Sequence, residues 1–141
     1  MKFRIIILLT FAATFSSSVF SQKITNEGTD FWFAYPEVFD KSTAVYEVHI
    51  TSKTNASGTV VVPYSSGSFS VPFTITAGGV QIITLPAQDM WNSYSGVVVN
   101  KAAHIISDTL VSVFATTIHL YRSEISLVLS TRALGSKYIV S

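Results

Sequence analysis

The sequence predicts an all-β domain with antiparallel strands, and two observations carry that prediction. After about residue 22 the chain is rich in Thr, Ser, Val, Ile, Phe and Tyr and poor in Lys, Glu, Leu and Ala. Branched and aromatic side chains fit the pleated surface of a sheet. Turn-forming residues also recur about every eight to twelve positions, a spacing typical of antiparallel sandwiches, barrels and propellers. We expect a β-sandwich-like fold, with a β-propeller fragment as the alternative.

The segment 1–21 has the three parts of a secretory signal peptide. Lys2 and Arg4 precede the apolar run 5–13, and small residues close the segment. Spanning a bilayer needs roughly 20 apolar residues, and this run is shorter. We expect cleavage after Ser21 and a secreted or outer-surface protein with no membrane span after cleavage. A retained N-terminal anchor is the alternative.

Aromatic residues mark the first strand of the mature chain. Four of them fall within 31–35, and Phe31, Phe33 and Tyr35 share one strand face. This face is expected to anchor the core, which turns Trp32 the other way. The same apolar–polar alternation predicts further strands at 46–51 and 68–75, and the run 58–64 is expected to form another strand.

The runs 58–64 and 68–75 together predict a β-hairpin. The loop 65–67 between them is short and contains glycine, as hairpin loops often do. Pro63 and Pro72 have no amide proton to donate, so each is expected at a sheet edge or facing solvent.

The second half of the chain continues the strand–turn rhythm. Strands are expected at 80–85, 97–99, 104–106 and 110–120, then where Ile125, Leu127 and Leu129 alternate with Glu124 and Ser126, with one short helical turn at 88–93. The end of the chain, 137–141, begins an apolar strand without a closing element. We therefore expect residues 22–141 to be the N-terminal part of a longer domain, incomplete at its C-terminus.

Charge and cysteine content narrow the possible partners. The chain has nine basic and eight acidic residues, and removing Lys2 and Arg4 with the signal leaves seven against eight. A nearly neutral domain has no basic stripe for a phosphate backbone, so nucleic acid is not an expected partner. The chain has no cysteine, so its stability must come from an apolar core.

No catalytic or metal-binding motif is present in the sequence. There is no G-x-S-x-G elbow, no cysteine nucleophile and no glycine-rich phosphate loop. We therefore expect a protein that is not an enzyme and needs no metal or cofactor. Two alternatives remain: a zinc site built from His49, His104 and His119 of distant strands, and a calcium or glycosidase site built from Glu27, Asp30, Glu37 and Asp40.

Aromatic residues are the remaining candidates for ligand binding. Trp91 and Tyr94 lie in a polar loop, where side chains on a β scaffold often contact a sugar or a partner protein. Packing of the loop is the competing interpretation. Trp32, which faces away from the predicted core, is the third candidate.

Six stretches, in order along the mature chain, resemble the N-terminal domain family of the IgG Fc-binding protein. They are 28–36 (GTDFWFAYP), 48–52 (VHITS), 100–108 (NKAAHIISD), 111–115 (VSVFA), 127–131 (LVLST) and 133–140 (ALGSKYIV). Leu110 and Ser130 stand where the family pattern has proline. The resemblance implies an exported, multidomain surface protein with adhesion modules and a domain longer than this chain. It carries over no binding residue.

These observations predict a non-catalytic, exported adhesion or binding module for a protein or glycan ligand. Two alternatives come from other functional classes. One is an accessory domain of a secreted glycan-degrading enzyme, and the other is a structural spacer in a large surface protein.

Overall fold

The computed structural model describes residues 25–38, 43–65, 67–92 and 96–135. The predicted signal 1–21 and the terminal run 137–141 lie outside these residues. The described part contains seven strands: β1 (Gly28–Phe33), β2 (Val45–Thr51), β3 (Ala56–Val61), β4 (Ser70–Ile75), β5 (Val80–Leu85), β6 (Ala103–Ile118) and β7 (Ser123–Val128). A single helical turn, α1 (Ala87–Met90), follows β5, and a 3-10 turn (Thr131–Ala133) follows β7. The described residues contain no helix with the length and apolar character that crossing a bilayer requires.

Strand β6 organises the whole fold. It is 16 residues long, and its first half pairs with β1 and β3 while its second half pairs with β2 and β7. With the pairs β3–β4 and β2–β5, this gives two layers. Sheet A has the order β4-β3-β6-β1, and sheet B has the order β5-β2-β6-β7. Because β6 belongs to both, the layers join into one barrel-like, sandwich-type sheet. All pairings are antiparallel, so the predicted fold class is confirmed.

Alternate side chains of both sheets meet in one apolar core. In β2, Tyr46, Val48 and Ile50 are fully buried, as their alternation predicts. Burying an apolar side chain of this size stabilises the fold by about 1.5–3 kcal/mol. Sheet A contributes Phe31, Val60, Phe73 and Ile105 to the same core.

The predicted hairpin between β3 and β4 is confirmed. Its strands pair from Ala56 opposite Ile75 to Val61 opposite Ser70. Strand β4 pairs with no other described strand, and the exposed Pro72 lies on it. A proline on an outer strand removes a donor from the open edge, which discourages pairing with another chain.

The predicted strand 97–99 is wrong. Val98 is almost fully exposed, and no strand is assigned to this segment. The cause lies in the register of β1 with β6. Phe33, the last residue of β1, pairs with Ala103, the first residue of β6. Residues before Ala103 therefore have no neighbouring strand in β1.

The predicted strands 104–106 and 110–120 are one continuous strand. The polar residues between them bind the end of the loop between β2 and β3 and the start of β3. Asp108 Oδ1 accepts a hydrogen bond from the Ser57 amide at 2.8 Å. Thr109 Oγ1 donates to the Asn55 carbonyl at 3.2 Å. These contacts satisfy polar groups without interrupting the strand.

Strand β7 shows the predicted alternation, with its apolar set on the outer face. Ile125 is 64% exposed and Leu127 is 43% exposed, whereas Val128 is buried. Register is the reason: Val128 lies opposite Val113, whose side chain is in the core. Since strand side chains alternate between faces, the neighbours of Val128 must point outward.

Candidate functional site

Trp32 lies on the outer face of sheet A, in the outer strand β1. Its side chain is 44% exposed, while Phe31 beside it is fully buried. The prediction that Trp32 faces away from the core is therefore confirmed. On the inner side, Phe33 and Tyr35 meet edge to face, with ring centroids 5.6 Å apart. The buried Phe31 and the partly buried Phe33 on either side of Trp32 fix the direction of its side chain.

The indole of Trp32 stacks on the imidazole of His104. The ring centroids are 3.9 Å apart and the ring planes differ by 13°. The two residues lie directly opposite each other in the β1–β6 ladder. In an antiparallel ladder, side chains come closest at the pairs that do not exchange backbone hydrogen bonds. Trp32 and His104 form such a pair, because two residues earlier the Asp30 carbonyl points away from β6 and accepts from Thr131 Oγ1.

A hydrogen bond holds the imidazole in place against the indole. His104 Nε2 lies 2.9 Å from Asp30 Oδ1. The Asp30 side chain is 47% exposed and that of His104 is 19% exposed. The carboxylate is therefore open to solvent at the rim of the site, while the imidazole is mostly covered. We call Trp32, His104 and Asp30 the Trp32 platform.

The surroundings of the platform are apolar or uncharged. Asp30 is the only residue with a formal charge in the two cross-strand rows to which the platform belongs. Those rows are Trp32, His104, Val61 and Ser70, and next to them Asp30, Ile106, Thr59 and Pro72. The site is an exposed aromatic ring with a carboxylate at one side. It can stack on a ligand and accept hydrogen bonds from it.

The two loop aromatics predicted as ligand contacts have different outcomes. Trp91 is half-buried and packs against the core directly after α1, where its amide donates to the Ala87 carbonyl at 3.0 Å. Such packing matches the competing interpretation of this residue. Tyr94 lies outside the described residues. Of the two predicted aromatics that the structure describes, Trp32 has the more exposed ring, and that ring is stacked on His104.

The remaining candidates for metal binding are dispersed over the described structure. His49 pairs with Glu47 at 3.2 Å on the outer face of sheet B, and Glu27 pairs with Lys53 at 2.8 Å. His119 closes the turn between β6 and β7 through its backbone amide. Asp40 lies outside the described residues. No group of three or more potential metal ligands forms within the residues that the structure describes.

Comparison of the chain with protein-family models, with curated proteins and with solved structures finds no significant match. The geometry of the Trp32 platform therefore carries the functional argument. Sequence reasoning identified Trp32 but missed its two partners. Asp30 and His104 are 74 residues apart, and only the register of β1 with β6 brings them together.

Proposed function

We propose that this chain is a non-catalytic binding module of a secreted or surface-displayed protein, and that its protein or glycan ligand contacts the Trp32 platform. One observation carries the proposal: a large, exposed aromatic ring is held in a fixed orientation on a rigid sheet. Tryptophan is strongly enriched among the residues that dominate binding energy in interfaces. Stacking on His104 distinguishes Trp32 from the other exposed apolar side chains of the described residues.

The support beneath Trp32 favours binding because it orders the ring in advance. Immobilising a flexible side chain on association costs about 0.5–1.5 kcal/mol. The Trp32 ring is already stacked on His104, which Asp30 holds by a hydrogen bond. Folding of the domain therefore immobilises the ring, and binding has less of this free-energy cost to meet. The platform is thus pre-organised for a ligand.

The pairing of Asp30 with His104 supports binding better than catalysis. A catalytic histidine that is oriented by a carboxylate uses its other ring nitrogen to activate a nucleophile. Among the described residues, Asp30 is the hydrogen-bond partner of His104, and the indole covers one face of its ring. We therefore assign the pair a positioning role for Trp32.

Two features of the sequence support export and adhesion. The segment 1–21 has the composition of a secretory signal. The ordered stretches that resemble the IgG Fc-binding N-terminal domain family imply a surface protein with adhesion modules. IgG is accordingly one of the protein ligands to test.

A binding array tests the proposal. The purified chain is applied to immobilised serum proteins, including IgG, and to immobilised glycans. Trp32→Ala is compared with Tyr64→Ala, a matched control because Tyr64 is 60% exposed in the turn after β3. We expect a defined ligand whose retention falls about tenfold or more with Trp32→Ala and is unchanged with Tyr64→Ala, a loss of about 1.4 kcal/mol.

Circular dichroism of each variant separates loss of binding from loss of folding. A folded protein that retains nothing on the array would contradict the proposal and favour a structural spacer. A ligand retained equally by both variants would place the binding site elsewhere.

A further inference from the structure

We infer that the ligand of the Trp32 platform is a neutral saccharide. This inference rests on the proposed binding function and names the chemical class of its ligand. Four properties of the site lead to it: the open face of the indole, the polar groups around that face, the closure of the adjacent edge, and the charge.

One face of the indole is available for stacking. His104 covers the face on the β6 side, since the two rings are nearly parallel at 3.9 Å. The opposite face is turned toward the outer edge of β1, which pairs with no described strand except β6. The face of an aromatic ring is electron-rich and attracts groups with partial positive charge at their edges. The C–H groups on one side of a pyranose ring have that character.

Hydrogen-bonding groups lie beside the open face at the positions that sugar hydroxyls need. The Asp30 carboxylate is about half exposed and accepts from hydroxyl donors. In an antiparallel strand, residues two apart turn their backbone groups to the same edge. Since the Asp30 carbonyl faces the open edge, the amide and carbonyl of Trp32 face it too. The site therefore offers one donor and several acceptors around an aromatic face.

The same edge is closed to a peptide that adds a strand. Strand addition needs a continuous row of free backbone groups. Thr131 Oγ1 already donates to the Asp30 carbonyl at 3.3 Å, and the β1–β6 register is broken by a bulge between Gly28 and Asp30. The stretch of β1 edge with free backbone groups at Trp32 is short. Its length matches one or two sugar rings better than an extended polypeptide.

The charge in the two sheet rows favours a neutral saccharide over an acidic one. Asp30 supplies the only formal charge in the rows on the β6 side of Trp32, and it is negative. On the outer side of β1 the basic residue is Arg132, which is exposed and follows Thr131 in the 3-10 turn. A uronic or sialic acid would bring a second carboxylate without a lysine or arginine in those rows to pair with it. Like charges at short range oppose binding and suppress the wrong ligand.

Titration calorimetry of the full chain with defined oligosaccharides tests the inference. The neutral probes are hexamers of β-1,4-glucose, β-1,3-glucose, xylose, galactose and N-acetylglucosamine, the acidic probe is oligogalacturonate, and IgG is the protein probe. We expect binding of at least one neutral probe and none of oligogalacturonate. Trp32→Ala should weaken that binding about tenfold or more. Tyr64→Ala should leave it unchanged, and Trp32→Phe should retain part of it.

The outcomes separate this inference from the proposed function. Binding of IgG that depends on Trp32, with no neutral saccharide bound, overturns the saccharide inference and leaves the binding function standing. No ligand at all overturns both. Saccharide binding that survives Trp32→Ala, or binding of oligogalacturonate at equal strength, overturns the assigned site or its preference for neutral ligands. If Trp32→Ala does not fold, the partial loss expected for Trp32→Phe gives the same test.

Discussion

Gly28 at the start of β1 lies against Ser130 so closely that a Cβ atom on the glycine would overlap the Cβ of the serine. The contact marks the point where two strands meet end to end. Val128 of β7 pairs with Val113 of β6, and Gly28 pairs with Val111. Strands β7 and β1 thus follow one another along the same edge of β6, and the glycine makes room for the chain that leaves β7.

Gly28→Ala should destabilise the fold because the junction has no space for a methyl group. We expect a loss of about 1–3 kcal/mol in the free energy of unfolding, the usual cost of overpacking a filled site. Gly67→Ala is the control, since a Cβ there meets no atom within 4 Å. Urea denaturation of the two variants checks the prediction. Equal stability of both would show that Ser130 moves aside freely.

The adjacent isoleucines of β6 should differ sharply in their contribution to stability. Ile105 is fully buried, while Ile106 is 51% exposed on the outer face. We expect Ile105→Ala to cost about 2–5 kcal/mol, through lost burial and the cavity that remains. Ile106→Ala should stay within about 0.5 kcal/mol of the parent protein. Thermal or urea unfolding measures both, and the reverse order would refute the register of β6.

Strand β7 gives a test of which face is buried. Ile125→Ser and Leu127→Ser should each change the free energy of unfolding by about 0.5 kcal/mol or less, because both side chains are largely exposed. Val128→Ala, with a buried side chain, should cost about 1–2 kcal/mol. If Leu127→Ser lowered the free energy of unfolding more than Val128→Ala does, Ile125 and Leu127 would have to lie in the core.

Tyr35 should make the protein sensitive to alkaline pH. Burial, with a smaller effect from Glu47, raises the pKa of Tyr35 above its usual value, and burial also raises the pKa of Tyr46. The folded protein therefore keeps phenol protons that the unfolded chain releases above about pH 10. Because the native state then binds more protons, stability is full below that pH and falls above it, by up to about 1.4 kcal/mol per pH unit for Tyr35.

Urea midpoints between about pH 9 and pH 11 measure this fall. Tyr35→Phe should make it shallower, while at neutral pH the same change should cost about 1 kcal/mol. That cost comes from the hydroxyl, which donates to the Glu47 carbonyl at 2.6 Å. Tyr64→Phe, at an exposed position, should alter neither quantity. An unchanged pH slope in Tyr35→Phe would show that this phenol does not link folding to pH.

Local patterns predicted most of the strands because alternation reports burial directly. The buried set of β2, the β3–β4 hairpin and the exact limits of β5 follow from residues that are close in sequence. The strand predictions failed where a segment's structure depends on residues that are distant in the sequence. The 97–99 run is apolar but has no neighbouring strand, and the predicted strands 104–106 and 110–120 join through polar residues, of which Asp108 binds the start of β3.

The candidate site was predictable only in its central residue. Trp32 stands between Phe31 and Phe33 on the opposite phase of the alternation, so its outward direction follows from the local sequence. Its partnership with His104 does not, because a shift of one residue in the β1–β6 register would turn the imidazole into the core. Trp91 shows the converse limit: a polar loop composition does not tell whether a side chain folds back onto the core.

Strand β6 also sets the order in which a nascent chain can assemble. Before it is synthesised, β3 can pair with β4 and β2 with β5, but β1 has no partner and the two ribbons have nothing to join them. Contacts between residues so far apart form slowly, and unpaired strand edges promote aggregation. Pulse-labelled hydrogen exchange should show the amides of β1 and β6 becoming protected together. A cell that makes this domain must therefore keep strands β1 to β5 from aggregating until one late strand, β6, joins the two layers.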